Sequence, residues 1–106
     1  MNKAHEKLLV EFLRKNVNPD ADPSVWNPLS CPVLALDLLS EQSNYRIHAS
    51  REYGRFMHVC ILASGNSGHA VSLPEAICVA VARDFGWLEY QIEIMKNGEW
   101  EKGVQQ

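Results

Sequence analysis

The sequence contains no apolar run that approaches the ~20 residues needed to span a bilayer. Its first residues, MNKAHEKLLVEFLRKN, place acids and bases among the apolar positions and lack the continuous apolar centre of a signal peptide. The formal net charge is −3, so the molecule as a whole does not attract nucleic acid or an anionic membrane. These absences predict a cytoplasmic protein with no membrane partner.

Cysteine is scarce, and its three positions have no metal-binding spacing. Cys31, Cys60 and Cys78 form no CxxC pair, which argues against a zinc knuckle or a disulfide framework. The pattern favours reduced thiols in a core. We expect no metal site.

The glycine-spaced stretch SGNSGH lacks the lysine and hydroxyl that follow the last glycine of a Walker-type phosphate loop. His69 stands directly after Gly68 instead. Glycine and asparagine tolerate positive φ, so the stretch predicts a hairpin turn over 65–68 and a short strand over 69–72. We therefore expect no cofactor.

What is present is an ordinary globular composition, 46% hydrophobic and 22% charged, which predicts a single domain over residues 1–106. Apolar residues recur at helical spacing in three segments. Ser30 and Ser72 each precede a proline by two residues, as at many helix starts. The predicted helices are 3–15, 31–41 and a third that begins at Ser72, buries Ala76, Ile77, Ala80, Val81 and Phe85, and ends before Gly86.

Alternating and continuous apolar patterns predict the strands. Residues 45–49 alternate, SREYG indicates a loop, and RFMHVCILAS is apolar on both faces, as in a central strand. The tail alternates again before Asn97-Gly98, which favours a hairpin over 87–104, with a helix over 87–95 as the alternative.

These elements predict an α+β fold: an antiparallel sheet of three to four strands packed with helices, as a two-layer or an α/β/α sandwich. The core is expected within 25–86. The helix 3–15 and the hairpin 87–104 are expected to be additions to it.

Three segments, SCPVLALDLLSE, FMHVCILAS and SLPEAICVAVA, resemble the phage ABA-sandwich domains, small proteins of phages and prophages. The likeness covers about residues 25–84 and departs from the family at both ends. It implies a sheet with helices packed on it and a phage or prophage source. It implies no activity and transfers no functional residues.

The segment YRIHASREYGRFMH combines arginines with aromatic residues at an expected hairpin tip or loop. Arginine pairs with carboxylate or phosphate, and aromatic rings stack on bases. The candidate binding residues are Arg46, Arg51, Tyr53, Arg55 and, in the tail, Trp100. The competing interpretation of residues 45–58 is a solubilising loop on an acidic protein, and that of Trp100 is a place in the core.

No set of acid, base and nucleophile converges in the sequence, and we name no catalytic residue. The first interpretation is a small non-enzymatic interaction module that binds a protein partner, either a host protein or a second copy of the chain. The alternatives are a nucleic-acid-binding protein that uses residues 45–58, and a small enzyme that uses Cys60 and His58.

Overall fold

The protein is an α+β fold with one antiparallel sheet, as predicted. A computed structural model describes residues 3–52 and 54–87, so the predicted hairpin at 87–104 lies outside the described residues except for Trp87. The helices are α1 (Lys3–Val17), α2 (Pro32–Leu38) and α3 (Leu73–Asp84), with a short 3-10 helix (Leu39–Glu41) after α2; the strands are β1 (Tyr45–Glu52), β2 (Arg55–Leu62) and β3 (Ser67–Ala70).

The sheet has the order β1-β2-β3, with both pairs antiparallel. The central position of β2 confirms the prediction from its two apolar faces. The predicted loop SREYG is wrong over its first three residues, because β1 continues through Glu52, which pairs with Arg55. The connection is therefore short, and Gly54 supplies its positive φ of 75°.

The prediction for β3 is displaced by two residues. The strand is 67–70 rather than 69–72. The turn lies just before it, where Gly65 has a φ of 96° and the Leu62 N–H donates to the Asn66 carbonyl at 2.9 Å. Gly68 belongs to the strand and faces α3. A Cβ at this position would lie 2.8 Å from the Ala80 backbone nitrogen and closer still to the Ala76 carbonyl oxygen, so the strand needs a glycine here.

Helix α3 lies at the centre of the fold. All seven residues from 76 to 82 are buried, as expected of a helix that is apolar on every side. It packs on β2 and β3 on one side, and on α1 and α2 on the other. The described elements therefore form the two-layer alternative, with the helices on one side of the sheet.

Local signals fix both ends of α3. The Ser72 hydroxyl accepts the Glu75 N–H at 3.4 Å, which confirms the predicted cap. Gly86 is left-handed (φ 96°), as predicted, and the Trp87 N–H donates to the Ala82 carbonyl, which completes a Schellman ending. Phe85, expected in the buried face, is 47% exposed because it stands past the last helical residue.

The start of α2 differs from its prediction by one residue. Its cap is Cys31, in extended conformation and without a side-chain hydrogen bond, rather than Ser30. Pro32 occupies the first turn, where its missing N–H costs nothing.

The buried cluster extends beyond the 25–86 expected from the sequence. Leu9 and Leu13 of α1 are fully buried in it. Trp87 is 3% exposed, and its ring lies 5.9 Å from that of His5 and 5.2 Å from that of Phe12. The first helix is thus an integral part of the described core. None of the described helices is long and apolar enough to cross a membrane.

A basic open face of the sheet

The strand register divides the sheet into two chemically different faces. Ile47, Cys60 and Gly68 form one row across the three strands, and Gly68 abuts α3, so this row faces the helices. Side chains alternate along a strand. The neighbouring row, His48–Val59–His69, therefore lies on the face away from α3, which we call the open face because the described helices pack on the other one.

The three candidate arginines do not share a face. Arg46 and Arg55 have the parity of the open face, whereas Arg51, paired with Phe56, lies on the helix side. Arg46 stands opposite Ile61, so about 20 Å of strand separates it from Arg55 at the rise of a β-strand. The expected arginine cluster at one loop is therefore not formed. Tyr53 and Trp100 lie outside the described residues.

Apolar side chains run along the middle of the open face, with basic groups around them. Met57 and Ile61 are partly buried, and Val59 between them is 2% exposed. The surrounding side chains are listed here by strand: Arg46, His48 and Ser50 from β1, Arg55 from β2, and Ser67 and His69 from β3.

The open face has the opposite charge to the molecule as a whole. By strand register its charged positions are Arg46, Arg55 and Glu52, the last opposite Arg55; two arginines and one glutamate give a formal charge of +1, while the whole chain carries a net charge of −3. Among the described side chains no acid forms an ion pair with Arg46, and Arg46 and Arg55 are both exposed. The face therefore combines a net positive formal charge with a row of apolar residues.

The helix-side face of the hairpin collects the aromatic residues instead. Tyr45 is 47% exposed and Phe56 58% exposed. The Phe56 ring meets His58 edge-on at 6.5 Å, and His58 Nδ1 lies 2.9 Å from the Val71 carbonyl oxygen. The described aromatic rings of the hairpin are therefore separated from Arg46 and Arg55 by the thickness of the sheet.

The pair Cys60 and His58 gives no support to the enzyme hypothesis. Cys60 is fully buried, and burial raises the pKa of its thiol, which disfavours the reactive thiolate. His58 is engaged at a backbone carbonyl. Residues 3–52 and 54–87 contain no group of three or more histidine, cysteine or acidic side chains placed to hold a metal ion.

The open face was only partly foreseeable. The residues at which β1 turns into β2 decide which residues of the two strands pair. Because SREYG was interpreted as a loop, the sequence did not give the pairing that places Arg46 beside the apolar row of β2. The contribution of β3 was missed because its register depends on the contact between Gly68 and α3, for which the local sequence carries no signal.

No protein-family model, curated protein or solved structure matches this chain. Function must therefore be argued from the site itself.

Proposed function

We propose that this protein is a non-enzymatic binding module that holds an acidic protein partner on the open face of its sheet. The observation that carries the proposal is the combination of an apolar row with two exposed arginines, Arg46 and Arg55, on a face whose formal charge by register is positive. The phage or prophage source is part of the proposal and rests on the resemblance over residues 25–84.

The layout of the face resembles the anatomy of a protein interface. Such interfaces have an apolar centre that excludes water and a polar rim that orients the partner. The partly buried Met57 and Ile61 supply the centre, while Arg46 and Arg55 stand at opposite ends of it. Their positive charge steers an acidic partner and rejects a basic one.

An acidic protein fits this face better than a nucleic acid does. Single strands are held by aromatic rings on which bases stack, in combination with phosphate-binding cations. On the described hairpin the rings of Tyr45 and Phe56 occupy the opposite face from Arg46 and Arg55. A base stacked on either ring would leave its phosphates remote from those two arginines.

The test compares single arginine variants that remove the same charge from different faces. Fluorescently labelled polyglutamate is titrated with wild type, Arg46→Ala, Arg55→Ala and Arg51→Ala, with short mixed DNA and RNA in parallel. An exposed charge pair contributes ~0.2–1 kcal/mol, so Arg46→Ala and Arg55→Ala should each weaken polyglutamate binding about 1.4- to 5-fold. Arg51→Ala, on the helix-side face, is the matched control and should leave affinity unchanged.

Two results would overturn the proposal. One is a wild-type protein that does not bind polyglutamate. The other is an equal loss in all three variants, which would mean that net charge rather than the open face governs binding. Tighter, salt-sensitive binding of DNA or RNA that falls in Arg46→Ala would put the nucleic-acid alternative in its place.

A further inference from the structure

The two outer edges of the described sheet differ in length. β3 has four residues and β1 has eight. The register between β1 and β2 is continuous from Tyr45 to Glu52 without a bulge, and β1 contains no proline. Short strands, bulges, prolines and charged side chains are the usual protections of a sheet edge. Of these, β1 has only charged side chains, which include Arg46 and Arg51.

Hydrogen bonds just beyond the strand show which backbone groups of β1 point outward. The Ala63 N–H donates to the Asn44 carbonyl at 3.0 Å. In an antiparallel pair every second residue bonds to the neighbour, so the even-numbered residues of β1 direct their N–H and C=O groups to β2. The odd-numbered residues direct theirs to the outside; these are Tyr45, Ile47, Ala49 and Arg51.

The outer edge of β3 is closed in a way that the edge of β1 is not. The Leu62 N–H bonds to the Asn66 carbonyl, which by the same alternation turns the Ser67 carbonyl outward. Arg83 from the end of α3 donates to that carbonyl at 2.6 Å. In residues 3–52 and 54–87, no backbone hydrogen bond outside the β1–β2 ladder reaches the odd-numbered residues of β1. Among the described residues, the backbone groups without a partner that an incoming strand could use are therefore those of β1.

The side chains next to this edge define what an added strand would carry. Arg46 and His48 border it on the open face. Tyr45 and Ile47 border it on the other face, where α3 packs on β2 and β3. Cross-strand neighbours of opposite charge and apolar neighbours stabilise a pair of strands. The complementary segment alternates acidic residues, beside Arg46 and His48, with apolar ones.

We infer that the acidic partner binds by adding one extended segment, in which acidic and apolar residues alternate, to the outer edge of β1. This inference rests on the proposed function and specifies the form of its partner. Backbone hydrogen bonds to the odd-numbered residues supply affinity, and the alternating side chains supply selectivity, as in other cases of strand addition.

The probe is an end-blocked peptide of alternating glutamate and valine, as long as β1. Its control has the same composition with the glutamates grouped at one end. Hydrogen exchange of isotope-labelled full-length protein, followed by NMR, reports each amide separately. With the alternating peptide, exchange at Ile47, Ala49 and Arg51 should slow about tenfold or more, since these N–H groups become bonded. The grouped peptide should produce a smaller change.

A pair of variants at one outward-facing position tests the edge from the protein side. Ala49→Pro removes an outward N–H without breaking the ladder to β2, and should weaken the alternating peptide about 2- to 13-fold through the loss of one hydrogen bond. Ala49→Val keeps that N–H and should bind as wild type does. If Ala49→Pro does not fold, a peptide N-methylated at alternate residues decides the matter, since it cannot pair along one of its edges.

The outcomes separate the inference from the proposed function. If both peptides bind equally, Ala49→Pro has no effect and Arg46→Ala weakens binding, the strand addition is overturned and the open-face function stands. If neither peptide binds, both fall. If Ile47 and Ala49 are already protected without peptide and the molar mass is that of a dimer, the occupant is a second copy, which overturns the acidic segment.

Discussion

The contact between Gly68 and α3 leads to a quantitative prediction about stability. In Gly68→Ala the new methyl would lie 2.8 Å from the Ala80 backbone nitrogen and closer still to the Ala76 carbonyl oxygen. Ordinary contacts of a Cβ begin at 3.4 Å, so the helix backbone must withdraw by more than half an ångström. No side-chain rotation can relieve the overlap, because both obstructing atoms belong to the backbone.

The cost follows from where α3 lies. A withdrawal would disturb packing on both sides of the helix, since residues 76–82 are all buried. Overpacking a tight core costs typically 1–3 kcal/mol, and a backbone obstruction places Gly68→Ala at about 3 kcal/mol. For a domain of this size that is roughly 12–24 °C in Tm. The measurement is urea unfolding followed by far-UV circular dichroism, with thermal melts alongside.

Gly65→Ala is the matched control, because it changes a glycine in the adjoining turn where nothing lies within 4 Å of the new methyl. Its cost is confined to the strain of a positive φ, about 1–2 kcal/mol. The reasoning requires Gly68→Ala to be the more destabilising of the two. The reverse order, or a loss below about 1 kcal/mol for Gly68→Ala, would mean that α3 does not approach β3 as closely as described.

Two further predictions concern ionisable groups. Cys78 is fully buried, and burial, with the nearby Glu75 as a smaller cause, raises the pKa of its thiol to about 12. A thiol reagent should therefore modify the partly exposed Cys31 in the native protein at neutral pH and reach Cys78 only on unfolding. Modification of Cys78 at the same rate as Cys31 would contradict the packing. Asp84 accepts hydrogen bonds from the Ser64 hydroxyl at 2.6 Å and from an amide of the same turn, which lower its pKa. Because the folded pKa is depressed, this stabilisation is present above the unfolded value near 3.9 and is lost as pH falls through the folded pKa. Asp84→Asn should therefore lower the free energy of unfolding by up to about 1 kcal/mol at pH 7, discounted for solvent screening. In urea titrations the difference in this free energy between variant and wild type should shrink as pH falls below 4. A difference independent of pH would exclude the carboxylate as its source.

The sequence predicted best where a local signal and the tertiary structure agree. The periodicity of α1, the Ser72 cap and the left-handed Gly86 all lie where they were expected. β3 is the instructive failure. Glycine and asparagine at 65–68 favour a turn on local grounds, but the approach of α3 requires one of those glycines inside the strand. Because the need for a glycine in β3 comes from a helix that begins after the strand, no pattern within the sequence of the strand indicates it.

The arrangement of the candidate binding residues depends on tertiary structure in a related way. Arginine and aromatic residues close together in sequence suggested one binding loop, but pairing of β1 with β2 through Glu52 places them on strands. The period of two then sends Arg46 and Arg55 to one face and Arg51 to the other. If the connection between β1 and β2 were one residue shorter, the pairing of the two strands would change, and different residues would face each other. Register, which single-sequence patterns specify poorly near a hairpin, decided the composition of the face.

The position of α3 leaves one face of the sheet outside the main buried cluster. α3 is covered by the sheet on one side and by α1 and α2 on the other, so the main buried cluster is completed on the helix side of the sheet. Val59 is buried but does not belong to that cluster, whereas Cys60, the next residue, does. Alternation along β2 thus separates residues that hold the fold together from residues that line the open face. Substitutions at Arg46 or Arg55 should accordingly change binding with little effect on the free energy of unfolding. Gly68→Ala should lower the free energy of unfolding, and it should reduce binding only in proportion to the folded protein that is lost.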